Sequence, residues 1–135
     1  MKRLKEAGIE VIVHMIIGLP GETREMICQT AHYIGESSAD GVKFQLLHVL
    51  KNTDLALDFE AGKFDVLEMD EYIDILCSCI ELIPAHMVIH RMTGDGDKRE
   101  LIAPLWSGDK KRVLNAINKA LSDRNIVQGS KKRLE

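Results

Sequence analysis

The sequence has few cysteines, no long apolar run and no large excess of charge of either sign. Three cysteines occur in 135 residues, an odd and sparse set that indicates no disulfide framework and is typical of a reducing compartment. No apolar run approaches the ~20 residues needed to span a bilayer. The first ten residues, MKRLKEAGIE, lack the apolar core of a signal peptide. These absences predict a cytoplasmic protein without membrane attachment.

Acidic and basic side chains nearly balance. The 18 basic and 21 acidic residues give a formal net charge of -3, so no overall field would steer the protein toward nucleic acid or a membrane surface. A local basic patch stays open as an alternative. The hydrophobic content of 45% is sufficient for a packed core, and 135 residues suit a single domain.

Helical and strand-like segments alternate along the chain. MKRLKEAG is typical of the end of a helix, with Gly8 just beyond it, and the β-branched run at 9–17 predicts a strand that is covered on both faces. The remaining predicted segments are, in chain order, a helix from Glu22 to about Ser37 with Met26, Ile27, Thr30 and Ile34 on one face, a strand at 42–50, a connection at 51–68 with one short helix, a helix at 69–83, a strand at 86–92, a helical turn near Leu101, and a helix beginning at Asp109.

This alternation predicts an α/β fold of parallel strands with right-handed crossovers. Three strands are too few to close a barrel, so the chain is expected to form part of one. Residues 126–135 are predicted to be a tail, and its final Leu134-Glu135 is typical of a vector-derived end.

The stretch GLPGET, residues 18–23, follows the first predicted strand and leads into a helix. Ligands of parallel α/β sheets bind beyond the carboxyl ends of strands, and N–H groups at a helix start can meet an anion or a polar ligand. The stretch is neither a Walker P-loop, because no Gly-Lys-Ser/Thr follows, nor G-x-G-x-x-G. A tight connection capped by Thr23 accounts for it equally well.

The second predicted strand ends in polar side chains, since FQLLHVLKNTD places Gln45, His48 and Lys51 near the same rim. The amide of Gln45 needs a hydrogen-bond partner, which either a ligand or a neighbouring strand could supply.

The third strand end, IHRMTGDGDKRE, is the richest in polar groups. His90 and Arg91 point to opposite faces, and Arg91 could hold a carboxylate or a phosphate. Thr93 and Asp95 would lie beside it. A surface turn with an ion pair explains this loop about as well.

Four histidines raise the question of a metal site, namely His14, His48, His86 and His90. No carboxylate or cysteine completes a recognisable ligand spacing, so no metal site is predicted. Cys77 and Cys79 do not share a helix face, and buried packing accounts for them better.

Taken together, the three strand ends resemble a known family. HMIIGLPGET resembles the fifth-strand segment of radical S-adenosylmethionine (radical SAM) enzymes, which include the methylthiotransferases, the oxygen-independent coproporphyrinogen oxidases and the Elongator catalytic subunit. More closely, KFQLLHVLKNTDLA, GKFDVLEMDEYIDILC, VIHRMTGDG, APLWSGDKKRVLNAI and QG resemble the YhcC/YtqA-type Fe–S oxidoreductases, over nearly all of residues 4–129. The resemblance implies that residues 1–125 form about half of a partial (β/α)6 TIM-like barrel, with the N-terminal half absent.

The resemblance also implies cofactors and site residues. In this family a [4Fe-4S] cluster held by Cys-x3-Cys-x2-Cys cleaves SAM to a 5′-deoxyadenosyl radical. Here the family motif G-x-I-x-G-x-x-E has His14 in place of its first glycine, and its acid falls one place late. The expected cofactor-binding residues are Ile16, Gly18, Leu19, Pro20, Gly21, Glu22, Gln45, Leu46, Leu47 and His48. The expected substrate-binding residues are His90, Arg91, Thr93 and Asp95.

The three cysteines do not form the cluster motif, because they lie at positions 28, 77 and 79. Without the motif no cluster forms, so the chain is expected to be a C-terminal fragment of a radical SAM enzyme that is inactive alone and holds neither cofactor fully. Its expected partners are the N-terminal half of its barrel and, through exposed strand edges, a second copy.

The substrate of the parent enzyme is expected to be tRNA, modified at the wobble uridine, because relatives such as the methylthiotransferases and the Elongator subunit modify tRNA. Basic residues could meet its phosphates: Lys98, Arg99, Lys110, Lys111, Arg112, Lys131, Lys132 and Arg133. A solvated helix face explains these clusters as well. The alternatives to an enzyme fragment are a stand-alone α/β module that binds a nucleotide or an anion, and an interaction domain.

Overall fold

Three parallel strands with helical crossovers form the main sheet in a computed structural model, which describes residues 1–94 and 98–131. The elements are α1 (Lys2–Glu6), β1 (Ile12–Ile17), α2 (Arg24–Glu36), β2 (Gly41–Leu46), β3 (Val49–Leu50), α3 (Asp54–Glu60), α4 (Met69–Leu82), β4 (Val88–Arg91), β5 (Leu101–Ala103), a 3-10 helix (Leu105–Gly108) and α5 (Lys110–Asp123). The strand order of the main sheet is β1-β2-β4, and both pairings are parallel. The predicted α/β class is therefore confirmed.

The register of the sheet decides which side chains share a face. β1 and β2 pair without a shift from Ile12 opposite Gly41 to Ile17 opposite Leu46. β4 pairs Val88 with Gly41, and the register shifts beyond Val42. The last residue of β4 therefore lies beside the middle of β2, and the chain runs on toward the end of β2 without regular pairing.

The helices cover one face of this sheet. Met15, Phe44 and Leu46 are buried in the core, together with the apolar stripe of α4 and with Val113 and Ile117 of α5. The stripe of α4 contains Tyr72, Ile73, Leu76, Cys79 and Ile80. This pattern was readable because apolar residues at spacings of three and four define one helix face.

No helix of the described residues covers the opposite face, which we call the open face. Its side chains come from alternate positions of the three strands: Ile12, His14, Ile16, Lys43, Gln45, Val88 and His90. Ile16 is 41% exposed while its neighbour Ile17 is 0% exposed. The expectation of a first strand covered on both faces is therefore wrong for this chain.

Helix α2 begins after Thr23, whose side chain accepts a hydrogen bond from the Met26 backbone N–H at 3.2 Å. Its buried positions are Ile27, Ala31, Ile34 and Gly35. The predicted buried face of α2 is rotated by part of a turn from the observed one, because Met26 and Thr30 are exposed. Ala31 and Gly35 allow this helix to approach the sheet and α4 closely, and small residues give no hydrophobic signal in the sequence.

A second, antiparallel sheet joins β3 to β5, and it corrects two predictions. The strand predicted at 42–50 ends at Leu46, and Leu101 lies in a strand instead of a helical turn. Val49 and Ala103 are paired and buried, and with Ala56 of α3 they form a small separate core. Residue-by-residue patterns cannot reveal this pairing, because the two strands are separated by about fifty residues and are very short.

The segment 126–131, predicted as a tail, packs against the end of α4. The Gln128 amide donates to the carbonyl oxygens of Pro84 at 2.8 Å and Met87 at 2.5 Å, and the Gly129 N–H donates to Ile80. At the other terminus Gly8 lies just beyond α1 and adopts the left-handed region, with φ of 77°, as predicted. In the part of the chain described, no helix is both long enough and apolar enough to cross a membrane.

Candidate functional site

The three parallel strands end at one edge of the main sheet, which we call the carboxyl edge. β1 leads into the turn 18–22, β2 into Leu47 and His48, and β4 through Met92 into Thr93 and Gly94. The Leu47 N–H donates to the Ile17 carbonyl at 2.9 Å, so the first two strand ends stay in register beyond the regular pairing. The predicted rim of three strand ends is thus formed by residues that lie far apart in the sequence.

The turn 18–22 exposes its backbone. Gly18 and Gly21 have φ values of 98° and 78°, which only glycine adopts readily, and the Glu22 N–H donates to the Leu19 carbonyl at 3.0 Å. Pro20 and Gly21 are exposed and Leu19 is 42% exposed. The turn therefore presents an apolar side chain and open backbone at the carboxyl edge.

Glu22 folds back toward its own turn. Burial raises the pKa of its carboxyl, and hydrogen bonds from the Leu19 and Gly18 backbone N–H groups lower the pKa and offset part of this effect. One carboxylate oxygen, Oε1, is buried and has no hydrogen-bond partner among the described residues. A buried polar atom normally has a partner, so Oε1 is suited to accept a hydrogen bond from a bound molecule.

The second and third strand ends meet through His48 and Gly94. A Cβ atom at Gly94 would lie 2.5 Å from Cε1 of His48, so the imidazole occupies the space that a side chain would need. Thr93 is 2% exposed, which places its hydroxyl inside the protein. The predicted site residue Asp95 lies outside the described residues.

Three residues that the sequence analysis did not single out brace this edge. The Tyr72 hydroxyl donates to the Met92 carbonyl at 2.6 Å, and Nε1 of Trp106 donates to the Leu67 carbonyl at 3.0 Å. The Leu67 side chain in turn contacts Gly18, where a Cβ atom would lie 3.3 Å from its Cδ1. The sequence signal for the roles of Tyr72 and Trp106 was the polar atom on a large aromatic side chain, which needs a partner when it is buried, whereas nothing in the sequence indicated the role of Leu67.

The open face adjoins the carboxyl edge through Ile16 and Gln45, which are paired across β1 and β2. Nε2 of Gln45 lies 3.4 Å from Nδ1 of His14. Of the two partners considered for the Gln45 amide, the structure therefore shows a residue of the neighbouring strand.

Several predicted site residues lie elsewhere. The Leu46 side chain is 4% exposed and packs in the core, so only its backbone lies at the carboxyl edge. The His90 ring lies against Gly41, the first residue of β2, where a Cβ atom would be 2.7 Å from the ring. Arg91 is paired with Lys43 in the middle of β2. His90 and Arg91 are thus lower on the sheet than predicted, because β4 ends before β2 does.

The cysteines lie in the helix layer and not at the carboxyl edge. Cys77 and Cys79 are 2% and 0% exposed, and burial raises the pKa of both thiols. No group of three or more histidine, cysteine or acidic side chains within residues 1–94 and 98–131 could hold a metal ion. This set of thiols does not fit an iron–sulfur cluster, whereas Ile16, Gln45 and the turn 18–22 combine an apolar side chain with hydrogen-bonding groups.

Comparison with known proteins connects this arrangement to a family. The family model described as the Radical_SAM C-terminal domain matches residues 39–123. Protein YtqA of Bacillus subtilis is 42% identical over 129 residues, which cover 96% of the chain and 40% of YtqA. Protein YhcC of Escherichia coli is 30% identical over 126 residues, covering 93% of the chain and 40% of YhcC. The chain therefore spans about 40% of the length of these curated relatives.

A solved structure shares the fold. The archaeal Methanocaldococcus infernus Elp3 with an N-terminal deletion superimposes with a TM-score of 0.80 at 20% sequence identity. The match covers 93% of this chain and 29% of the Elp3 chain.

Proposed function

The chain belongs to the family of radical SAM C-terminal domains, and from this premise we propose that it forms one wall of the SAM site in a longer radical SAM enzyme. In such an enzyme SAM bound to a [4Fe-4S] cluster supplies a 5′-deoxyadenosyl radical. The role of the present residues is to bind and orient the nucleoside part of SAM. The family resemblance expected from the strand-end motifs is confirmed.

The exposure of Ile16 is the observation that carries this proposal. Its side chain is 41% exposed on the open face, next to Gln45 and immediately before the turn 18–22. An apolar side chain, an amide and the exposed backbone of Pro20 and Gly21 lie close together there, which is the usual composition of a small-molecule site. Glu22, with its partnerless Oε1, would accept a hydrogen bond from a donor at the end of this surface.

The proposal assigns the cluster to another part of the longer protein. The three cysteines of this chain are distributed over α2 and α4 and cannot supply three thiolates to one cluster. The 135 residues alone would therefore not cleave SAM. The N-terminal half of the barrel is the partner that would bring the cluster motif to the carboxyl edge.

The proposed substrate of the whole enzyme is tRNA, modified at a wobble uridine in the cytoplasm. Lys98, Lys111 and Arg112 are exposed, which supports a contact with phosphates. Contacts of this kind weaken steeply with salt. In the full-length enzyme, added tRNA should therefore raise the yield of 5′-deoxyadenosine at low salt more than at high salt.

The test of the SAM site compares two alanine substitutions that shorten side chains on the open face. Ile16→Ala removes apolar carbons next to the turn 18–22, whereas Val88→Ala removes them at the amino end of the sheet, where Val88 is 54% exposed. At ~0.8 kcal/mol for each buried carbon, Ile16→Ala should raise the Kd for SAM about 10- to 60-fold in the full-length, cluster-loaded protein. Val88→Ala should leave the Kd within about twofold, because its carbons would not contact the nucleoside.

Equilibrium dialysis with labelled SAM measures both values. Equal affinities for the two variants would contradict the placement of the nucleoside at Ile16. Formation of 5′-deoxyadenosine by the 135-residue chain alone, after treatment with iron, sulfide and a reductant, would contradict its inactivity. Micromolar binding of ATP by that chain would instead favour a stand-alone nucleotide-binding module.

A further inference from the structure

Hydrogen bonds join the first residue of α2 to the middle of α4. Arg24 begins α2, and its guanidinium donates to the Asp74 carboxylate and, at 2.6 Å, to the Ser78 hydroxyl. One turn further along α2 comes Cys28. Because the two helices run in the same direction from the carboxyl edge, the residues of α4 that face Cys28 are those just after Ser78.

Cys79 is the residue of α4 that meets Cys28. Burial chiefly raises the pKa of the Cys79 thiol, its interaction with Cys28 raises the pKa further, and Arg24 interacts electrostatically with both thiols. Cys79 is 0% exposed, whereas Cys28 is partly exposed. The two thiols therefore face each other across the helix pair, and solvent reaches them from the side of Cys28.

A groove gives access to this contact. Its volume is about 320 Å³, and it is lined by Glu25, Cys28, Gln29 and His32 of α2 and by Leu82 of α4. Leu82 lies three residues after Cys79, on the same side of α4. A small oxidant in this groove would reach Cys28 first.

Cys77 serves as an internal reference. It is 2% exposed and lies two residues before Cys79, so it points to a different side of α4. Its electrostatic neighbours are Arg124, Asp74 and Glu81 instead of Cys28. A reaction that depends on contact with Cys28 should therefore distinguish Cys79 from Cys77.

We propose that Cys28 and Cys79 are a redox-active thiol pair, which an oxidising disulfide such as oxidised glutathione converts into a disulfide between α2 and α4. Two thiols that face each other across packed helices can form a disulfide once side-chain rotation brings the sulfur atoms to the bonding distance of ~2.05 Å. The bridge would fix α2, which starts directly after the turn 18–22, to the helix behind it. This proposal is independent of the SAM site.

The reaction balances in two exchange steps. The Cys28 thiolate attacks one sulfur of oxidised glutathione, and the first glutathione leaves as its thiolate. The Cys79 sulfur then attacks the Cys28 sulfur, and the second glutathione is released with the proton that Cys79 gives up. Two thiols are oxidised to one disulfide, and one molecule of oxidised glutathione is reduced to two molecules of glutathione.

The experiment counts free thiols after oxidation under native conditions. The chain is incubated with oxidised glutathione, unreacted thiols are blocked at low pH, and intact mass is measured with and without reduction. We expect the number of free thiols to fall from three to one, with no glutathione retained and no covalent dimer. Cys77→Ser should still form the disulfide and fall from two thiols to none.

Cys28→Ser is the matched negative variant, and its two remaining thiols should both stay free. A serine at this partly exposed position keeps the size of the side chain, so folding can be verified by circular dichroism before oxidation. Three free thiols in the oxidised wild-type chain would overturn the proposal. A stable glutathione adduct on Cys28 beside a free Cys79, or loss of the disulfide in Cys77→Ser, would overturn it as well.

Discussion

Gly41 offers a sharp test of how the main sheet is packed. It is the first residue of β2 and pairs with Val88 of β4. A Cβ atom at this position would lie 2.7 Å from the Val88 carbonyl oxygen and 2.7 Å from two atoms of the His90 ring. The ring can rotate away, but the carbonyl belongs to the neighbouring strand. Gly41→Ala should therefore push β2 and β4 apart at their amino ends.

The size of the effect follows from two opposing contributions. Introducing a methyl group into a well-packed region costs about 1–3 kcal/mol. Replacing glycine by alanine also restricts the unfolded chain, which stabilises the folded state by about 0.4–1 kcal/mol where the native backbone tolerates alanine. A control variant that shares the second contribution and lacks the first isolates the steric cost.

Gly108→Ala is that control. Its Cβ atom would lie 3.6 Å from Cδ2 of Leu101, an ordinary contact, and Gly108 has no positive φ. We expect Gly41→Ala to be less stable than Gly108→Ala by about 1–3 kcal/mol. Urea denaturation followed by fluorescence gives both values, because Trp106 is the one tryptophan of the chain and donates to the Leu67 carbonyl.

Equal urea midpoints for the two variants would refute this reasoning. They would mean that β2 and β4 are farther apart at Gly41 than in this structure, or that the strands shift apart there without a loss of stability. A double variant separates the contact with the Val88 carbonyl oxygen from the contact with the His90 ring. Gly41→Ala combined with His90→Ala removes the ring but keeps the carbonyl, so most of the destabilisation should remain.

Two further predictions concern contacts made by α4 and by the segment just after it. Gln128→Ala should lower the free energy of unfolding, measured by urea denaturation, by about 1–2 kcal/mol, because it leaves the Pro84 and Met87 carbonyls without their donor. Val127→Ala, at a 60% exposed position, is the control and should leave this free energy almost unchanged. An equal loss in both variants would contradict the role of the amide. Hydrogen bonds from Arg24 and Arg124 lower the pKa of Asp74 in the folded protein. The ionised carboxylate therefore stabilises the fold fully at pH values above its pKa in the unfolded chain, ~3.9. This stabilisation is lost as the pH falls through the lower pKa of the folded protein. Since Asp74 is 43% exposed, we expect Asp74→Asn to lower the free energy of unfolding by only about 0.5–1 kcal/mol at pH 7 and to match the wild type near pH 2. A difference in stability that persists at pH 2 would show that the charge of Asp74 is not its cause.

The sequence predicted the elements whose signals are local and periodic. Helix α4 has an apolar residue at nearly every third or fourth position, and α5 begins directly after Asp109, whose side chain accepts a hydrogen bond from the Arg112 N–H as a cap. Such signals involve residues within one helical turn of each other, so they can be recognised in the sequence without knowledge of the tertiary fold. The pairing of β3 with β5 depends instead on contacts between residues about fifty positions apart, and two-residue strands carry no periodicity.

The candidate site was predictable in outline for a related reason. Parallel strands must end at a common edge, so GLPGET and the residues around His48 had to lie near each other once the order of elements was known. The offset of β4 was not predictable, because its register shift beyond Val42 reflects packing across the sheet. That shift places His90 and Arg91 below the carboxyl edge and leaves Thr93 and Gly94 to reach it.

Glycine determines where two imidazoles lie on this sheet. His90 occupies the space above Gly41, and His48 occupies the space beside Gly94. Each ring is thereby held against backbone at an opposite end of β2, one at its start and one just past its last residue. A methyl group at either glycine would move the ring without changing its chemistry. If the carboxyl edge binds SAM as proposed, Gly94→Ala should therefore weaken binding through displacement of His48, while Gly41→Ala should affect chiefly stability.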